Sequence, residues 1–213
     1  AGLTTADNIT YTALFTPAED IADASNTITL ANTGVANADG NTGAGTTDSP
    51  NSAIDTARPS LAVTLAASAL KAGETTLATF TFSEAVTGFT NADITVENGV
   101  LGALASGDGG VTWSATFTPS ADVTDASNVI SVANTGFADA AGNAGIGVTA
   151  SSSYAIDTAR PTVVISMADT DLRPGETSVV TFTFSEAVTG FSNADLTVAN
   201  GTLDAVTTAD GGI

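Results

Sequence analysis

One feature limits this chain more than any other: it repeats itself every 102 residues without a gap. The string Asp55-Thr56-Ala57-Arg58-Pro59 returns as Asp157-Thr158-Ala159-Arg160-Pro161. The string from Phe80 to Phe89 returns from Phe182 to Phe191, and Phe15-Thr16-Pro17 returns as Phe117-Thr118-Pro119. Self-similarity at a fixed period is the signature of repeat architectures. A period of about 100 residues is the length of one β-sandwich domain. In repeat phase, residues 1–56 correspond to the second half of a module, 57–158 to a complete module and 159–213 to a first half. A half-module alone exposes unpaired strand edges and half a core. The sequence opens in mid-repeat without an initiator Met or a leader pattern, and so reads as a piece of something longer.

Within the complete module the apolar residues alternate, the period of half-buried strands. Leu61, Val63 and Leu65 face one way in a first strand. Ala78, Phe80 and Phe82 do so in a second, with Thr79 and Thr81 on the opposite face. Ile94 and Val96 mark a third, and a fourth follows the Asn98-Gly99 turn. Val111, Trp113, Ala115 and Phe117 alternate with Thr and Ser in a fifth. Ile130 with Val132, and Tyr154 with Ile156, supply the last two. No window has helical periodicity. The expectation is an all-β fold of tandem immunoglobulin-like β-sandwich repeats, with seven short strands per module. Trp113 and Tyr11, which occupy equivalent positions, are expected in cores rather than on a sugar-stacking platform.

Composition excludes several functions. Four Lys and Arg against 23 Asp and Glu give a net charge of −19. Phosphate backbones and anionic lipid surfaces require the opposite balance. The sequence has no Cys and no His, which removes disulfides, thiolate nucleophiles, Cys/His zinc sites and imidazole acid–base chemistry. No apolar run is long enough to span a bilayer. Ser and Thr lack a His or a buried Lys to activate them. Acids that recur with the repeat, as Glu84 with Glu186 and Asp93 with Asp195, describe a structural position better than an active site. The Asp108-Gly-Gly and Asp210-Gly-Gly segments lack the strand–loop–helix context and the Lys of a phosphate cradle, and read as turns. The chain is therefore expected not to be an enzyme.

If consecutive strands alternate in direction, the loops sort to two poles. The entry pole of the complete module gathers Glu84, Asp93, Asp108, Asp139 and Asn143 beside the linker residue Asp55. The preceding half-module presents Asp20 and Asp23 from the loop Thr16-Pro-Ala-Glu-Asp-Ile-Ala-Asp23. Converging carboxylates are costly unless a cation neutralises them. Oxygen ligands on flexible loops suit Ca²⁺, which takes six to eight at roughly 2.3–2.6 Å, better than Mg²⁺ with its tight octahedron. The competing reading is that each Asp or Asn caps its own turn and is otherwise solvated.

Thr-Phe-Ser-Glu-Ala-Val-Thr-Gly-Phe89, then Asn91-Ala-Asp93, Asp139-Ala-Ala-Gly-Asn143 and Ala155-Ile-Asp-Thr-Ala-Arg-Pro161, closely resemble bacterial Ig-like repeats of giant surface adhesins and biofilm-associated proteins. The resemblance spans the whole chain. It implies a tandem array outside the cell, on the bacterial surface, with neighbouring repeats as partners and Ca²⁺ stiffening the junctions. It carries over Asp55, Glu84, Asp93, Asp139 and Asn143 as ligands at one junction, and Asp157, Glu186 and Asp195 at the next. The first half-module departs from the pattern, with Asn37 in the place of Asp139 and Asp39 nearby. Two functional readings remain at this stage. One is a calcium-stiffened stalk of an adhesin or biofilm fibre. The other is a self-assembling fibre in which half-modules of neighbouring copies complete each other by strand addition. Ligand binding by Thr-rich sheet faces has little beyond ordinary β-propensity behind it.

Overall fold

Threonine and β-branched or aromatic residues in alternation favour pleated, half-buried strands, and strands account for almost all regular structure here. A computed structural model describes residues 2–208. In the first part of the chain, short strands run at Thr4–Thr5 (β1), Tyr11–Thr12 (β2), Ala22–Asn26 (β3), Thr29–Ala31 (β4), Thr46–Asp48 (β5) and Ser52–Asp55 (β6). The complete module holds Leu61–Leu65 (β7), Ala69–Lys71 (β8), Thr76–Phe82 (β9), Ile94–Val96 (β10), Gly99–Leu101 (β11), Ala105–Ser106 (β12), Thr112–Pro119 (β13), Thr124–Asn128 (β14), Ile130–Ala133 (β15), Val148–Ala150 (β16) and Tyr154–Asp157 (β17). Val163–Met167 (β18) and Val180–Phe184 (β19) follow. The helical segments among the described residues are three-residue 3-10 turns such as Asn91–Asp93 and Asn134–Gly136.

The complete module is a two-layered sandwich. One layer has the order β11-β13-β9-β7, with β12 also on β13. The other is built from β10-β15-β16 and β14-β17-β8. All these pairs are antiparallel except β17 with β8. Each of the seven expected strands is present. The module also carries β8, β12, β14 and β16, which apolar alternation does not reveal.

The alternation sets the core. Along β9, Thr76, Ala78, Phe80 and Phe82 are buried while Leu77 and Thr81 are exposed. Register Trp113↔Phe80 and Ala115↔Ala78 lays β13 on β9, and Ile130, Val132, Tyr154 and Ile156 close the core from the opposite layer. Phe80 and Phe117 are wholly buried. Burying one such ring stabilises the module by about 1.5–3 kcal/mol. Phe82, Phe89 and Phe137 meet edge to face, with centroids 4.7–6.0 Å apart. Trp113 packs against Phe89 and donates its indole N–H to Gly110 O, as expected of a core side chain. Tyr11 does not: it is 53% exposed, because the first part of the chain contains no counterpart of β9.

The flanking parts keep the module's registers. Val163↔Phe184 repeats Leu61↔Phe82, and Ala22↔Asp55 repeats Thr124↔Asp157. Their apolar side chains stay open to solvent, as at Leu30, Val164 and Ile165. The strand directions place the loop after β9, the β12–β13 turn and the Gly136–Gly147 loop at the entry pole. Backbone bonds Ser83 N to Ser60 O, Val86 N to Gly110 O and Thr87 N to Ala138 O bind these segments together.

Candidate metal centre

Three carboxylates meet at the entry pole. Asp55 comes from the end of β6, Glu84 from the loop after β9, and Asp139 from the loop between β15 and β16. One oxygen from each lies within 4.8 Å of the others. Asp139 is 4% exposed, Glu84 half-buried and Asp55 exposed, so the cluster opens from the module towards the linker.

The Asp139 side is a tight turn. Asp139 N–H donates to Asn143 O, and Gly142 N–H to Asp139 O. Asn143 N–H donates to Asp139 Oδ1 and its side-chain amide to Oδ2, both at 2.8 Å. The same amide donates to the Asp55 carbonyl at 3.2 Å, tying the turn to the linker. Gly145 lets the loop return: a Cβ there would lie 2.5 Å from Asn134 O and 2.8 Å from the Phe137 ring.

The acids differ in charge state. Burial works to raise the Asp139 carboxyl, but the Asn143 side chain and the amides of Asn143, Gly142 and Ala141 outweigh it and hold the group below its ordinary value. Glu84 has no such donors. Burial, followed by the charges of Asp139 and Asp55, pushes its carboxyl up. Among the described residues none of the three acids is in an ion pair; the one ion pair is Lys71 with Glu74. Arg58 stands at the same pole but donates to Ala144 O.

These residues fit a hard cation. All the donors are oxygens. Two ligands on opposite sides of Ca²⁺ are at most about 5 Å apart, and the 4.8 Å spread of the three carboxylates is within that. Asp55, Glu84 and Asp139 would hold the ion. It would supply the positive charge that the cluster lacks. Asn143 orients Asp139 and the Asp55 backbone.

The other expected ligands are placed differently. Asp93 accepts from Thr90 N–H and Oγ–H, closing a capping box over Asn91–Asp93, and Asp195 does the same with Ser192. The pattern Thr/Ser-x-x-Asp is the sequence signal for this role. Asp157 accepts from Thr124 Oγ–H at 3.0 Å; at the equivalent of Thr124 the first junction has Ala22, which offers Asp55 no such donor. Glu186 is half-buried, and no trio forms around it among the described residues. The counterpart of Asp139 would fall at position 241, outside the 213-residue sequence. Asp108 is held in its own turn by Ser106, Val111 and Thr112. Asp23 accepts from Ser25 N–H, and neither it nor Asp20 joins the cluster. Asn37 keeps the Asp139-type turn with a neutral side chain, accepting from Asp39 and Asn41 N–H. The Asp210-Gly-Gly turn lies outside the described residues.

A family model described as the bacterial Ig-like domain matches residues 1–54, 55–156 and 157–213. The chain belongs to the bacterial Ig-like domain family. Comparison with curated proteins and with solved structures gave no match. The family match starts the central Ig-like module at residue 55, which counts Asp55 with Glu84 and Asp139 as one module's residues. Two parts of this Ig-like junction have no acidic signal in the sequence. They are Thr56, whose hydroxyl donates to Ala18 O, and Arg58 on Ala144 O.

Proposed function

We propose that this chain is part of the stalk of a large extracellular bacterial surface protein, an adhesin or biofilm fibre, in which calcium at the entry pole of each module stiffens the array. The observation that carries the reading is the Asp55, Glu84 and Asp139 trio, with oxygens within 4.8 Å of one another and, among the described residues, no ion pair to any of the three. Without metal the trio repels itself. With metal, the linker carboxylate is bound to two loops of the module that follows. Extracellular sites of this kind bind at about 10⁻⁴–10⁻³ M, so calcium outside a cell fills them.

The role is structural rather than catalytic. No His or Cys is present, and Lys71 and the three Arg make up the whole basic complement. Among the described residues no helix is long and apolar enough to cross a membrane. Neighbouring Ig-like modules are the partners this reading requires. The test is metal-dependent stability: calcium raises the melting temperature of the chain, chelator lowers it, and Asp139→Asn removes most of the difference. Identical melts in both conditions refute the calcium reading.

A further inference from the structure

The linker between the first part of the chain and the complete module is gripped from both sides by overlapping sets of residues. Backwards, Thr56 N–H donates to Ile21 O at 2.7 Å, Thr56 Oγ–H to Ala18 O at 2.7 Å, and Ala57 N–H to Ile21 O at 3.3 Å. Forwards, the Asp55 carbonyl accepts from the Asn143 side chain at 3.2 Å, and Arg58 Nη1 donates to Ala144 O at 2.6 Å. Pro59, next in line, is buried. A hinge needs free dihedrals between two anchored bodies, and here no residue separates the two grips. Proline fixes its own φ and restricts the residue before it to extended backbone, so Arg58 itself has little freedom.

The repeat separates the two grips. Thr158 reproduces the backward one, with N–H to Val123 O and Oγ–H to Ser120 O, each at 2.7 Å. Beyond Arg160 the sequence reaches no counterpart of the Asp139–Gly145 loop, and Pro161 is exposed. The backward grip therefore forms without a following loop. Use of cations supports a dedicated role. The four basic side chains form two repeat pairs, Arg58 with Arg160 and Lys71 with Arg173. In a chain of net charge −19, one of the two basic residues in each repeat stands in the linker, and Arg58 makes no ion pair with the nearby acids.

We infer that Arg58 is a latch: by holding Ala144 O it docks the linker on the following module and fixes the angle between consecutive modules in the absence of metal. It is a positioning residue, and it acts separately from the acid cluster. Arg58 sets the angle of the junction, and calcium, in the function proposed above, narrows the motion about that angle.

The chain has no cysteine, so Thr27→Cys and Thr95→Cys give two unique spin-label sites on either side of the linker. The distance between the labels is measured by pulsed electron resonance on the whole 213-residue chain in excess chelator, so the result does not depend on whether calcium binds. The expected result is a narrow distance distribution in the parent, its loss in Arg58→Ala, and recovery in Arg58→Lys. Fluorescence of Trp113, the one Trp of the chain, should show the complete module still folded. If Arg58→Ala unfolds the module, Arg58→Met, which keeps the aliphatic stem and removes the donors, takes its place. A distribution already broad in the parent, or one that stays narrow when the donors are removed, overturns the inference.

Discussion

The side-chain amide of Asn143 donates to the backbone carbonyl of Asp55 at 3.2 Å, across 88 residues of sequence. With its second bond, to Asp139 Oδ2 at 2.8 Å, it joins the linker to the acidic turn through protein atoms alone. Replacing it with Ala removes both bonds and leaves Asp139 with fewer donors. The expected cost to the complete module is about 2 kcal/mol, read as a lower melting temperature in chelator as well as in calcium. An unchanged melt in chelator would mean that these bonds do not hold the turn.

Glu84 gives a prediction whose sign reverses with conditions. Its carboxyl is pushed up by burial and then by Asp139 and Asp55. A raised folded-state value favours the protonated form. The associated stability is present below the ordinary carboxylate range and is lost as pH rises through the raised value. At neutral pH without metal, Glu84→Gln is therefore expected to stabilise the module. In calcium the same change removes a ligand and is expected to destabilise it. Thermal melts of both proteins in both buffers check this, and a shift of the same sign in each contradicts it.

Asp108 contributes to the acid limb, as does Asp139, whose carboxyl is also held down. Thr112 N–H and side chain, with Ser106 and Val111, hold the Asp108 carboxyl down to about 2 against some desolvation. A depressed value contributes stability above the unfolded-state value, which is lost as pH falls through the folded one. The module is expected to weaken as pH falls from about 4 towards 2. Asp108→Asn, which does not titrate, should make that limb shallower in denaturant titrations at stepped pH, leaving the part due to Asp139.

Tyr154 governs the alkaline limb. It is 2% exposed and donates to Glu97 O at 2.9 Å. Burial, then the Glu97 charge, pushes the phenol up to about 12. Stability linked to the neutral phenol is present below about 10 and is lost as pH rises through the folded value. Tyr154→Phe should remove this alkaline dependence and cost about 1 kcal/mol at neutral pH through the unpaired Glu97 carbonyl.

The sequence makes the β9–β13 layer legible because both strands face water on one side, so Phe80 and Ala115 alternate with Thr. It conceals β14, Thr124–Asn128, where only Asn128 is fully buried. That strand is held by pairing with β17 and by the Asn128 amide on Asp125 O and Tyr154 O, features that carry no apolar period. Strand β8 is three residues long and pairs in parallel with β17, which is too short to establish a period. In the site, pole assignment by strand direction brings Asp55, Glu84 and Asp139 together. Asp93 and Asp108, assigned to the same pole, cap their own turns, and position at a pole does not separate a ligand from a cap. Arg58 carries no acidic signal, because the atom it meets is the Ala144 carbonyl.

The stalk proposed above rests on calcium binding by the Asp55, Glu84 and Asp139 trio. Calorimetric melting of the chain in excess chelator and then in calcium tests it most directly. With calcium at about ten to a hundred times its dissociation constant, linkage predicts added stability of about 1.4–2.7 kcal/mol, rising with the logarithm of calcium and largely absent in Asp139→Asn. Superimposable melts with and without calcium, in a chain whose Trp113 signal shows the module folded, would contradict the claim and leave the trio a solvated acidic surface.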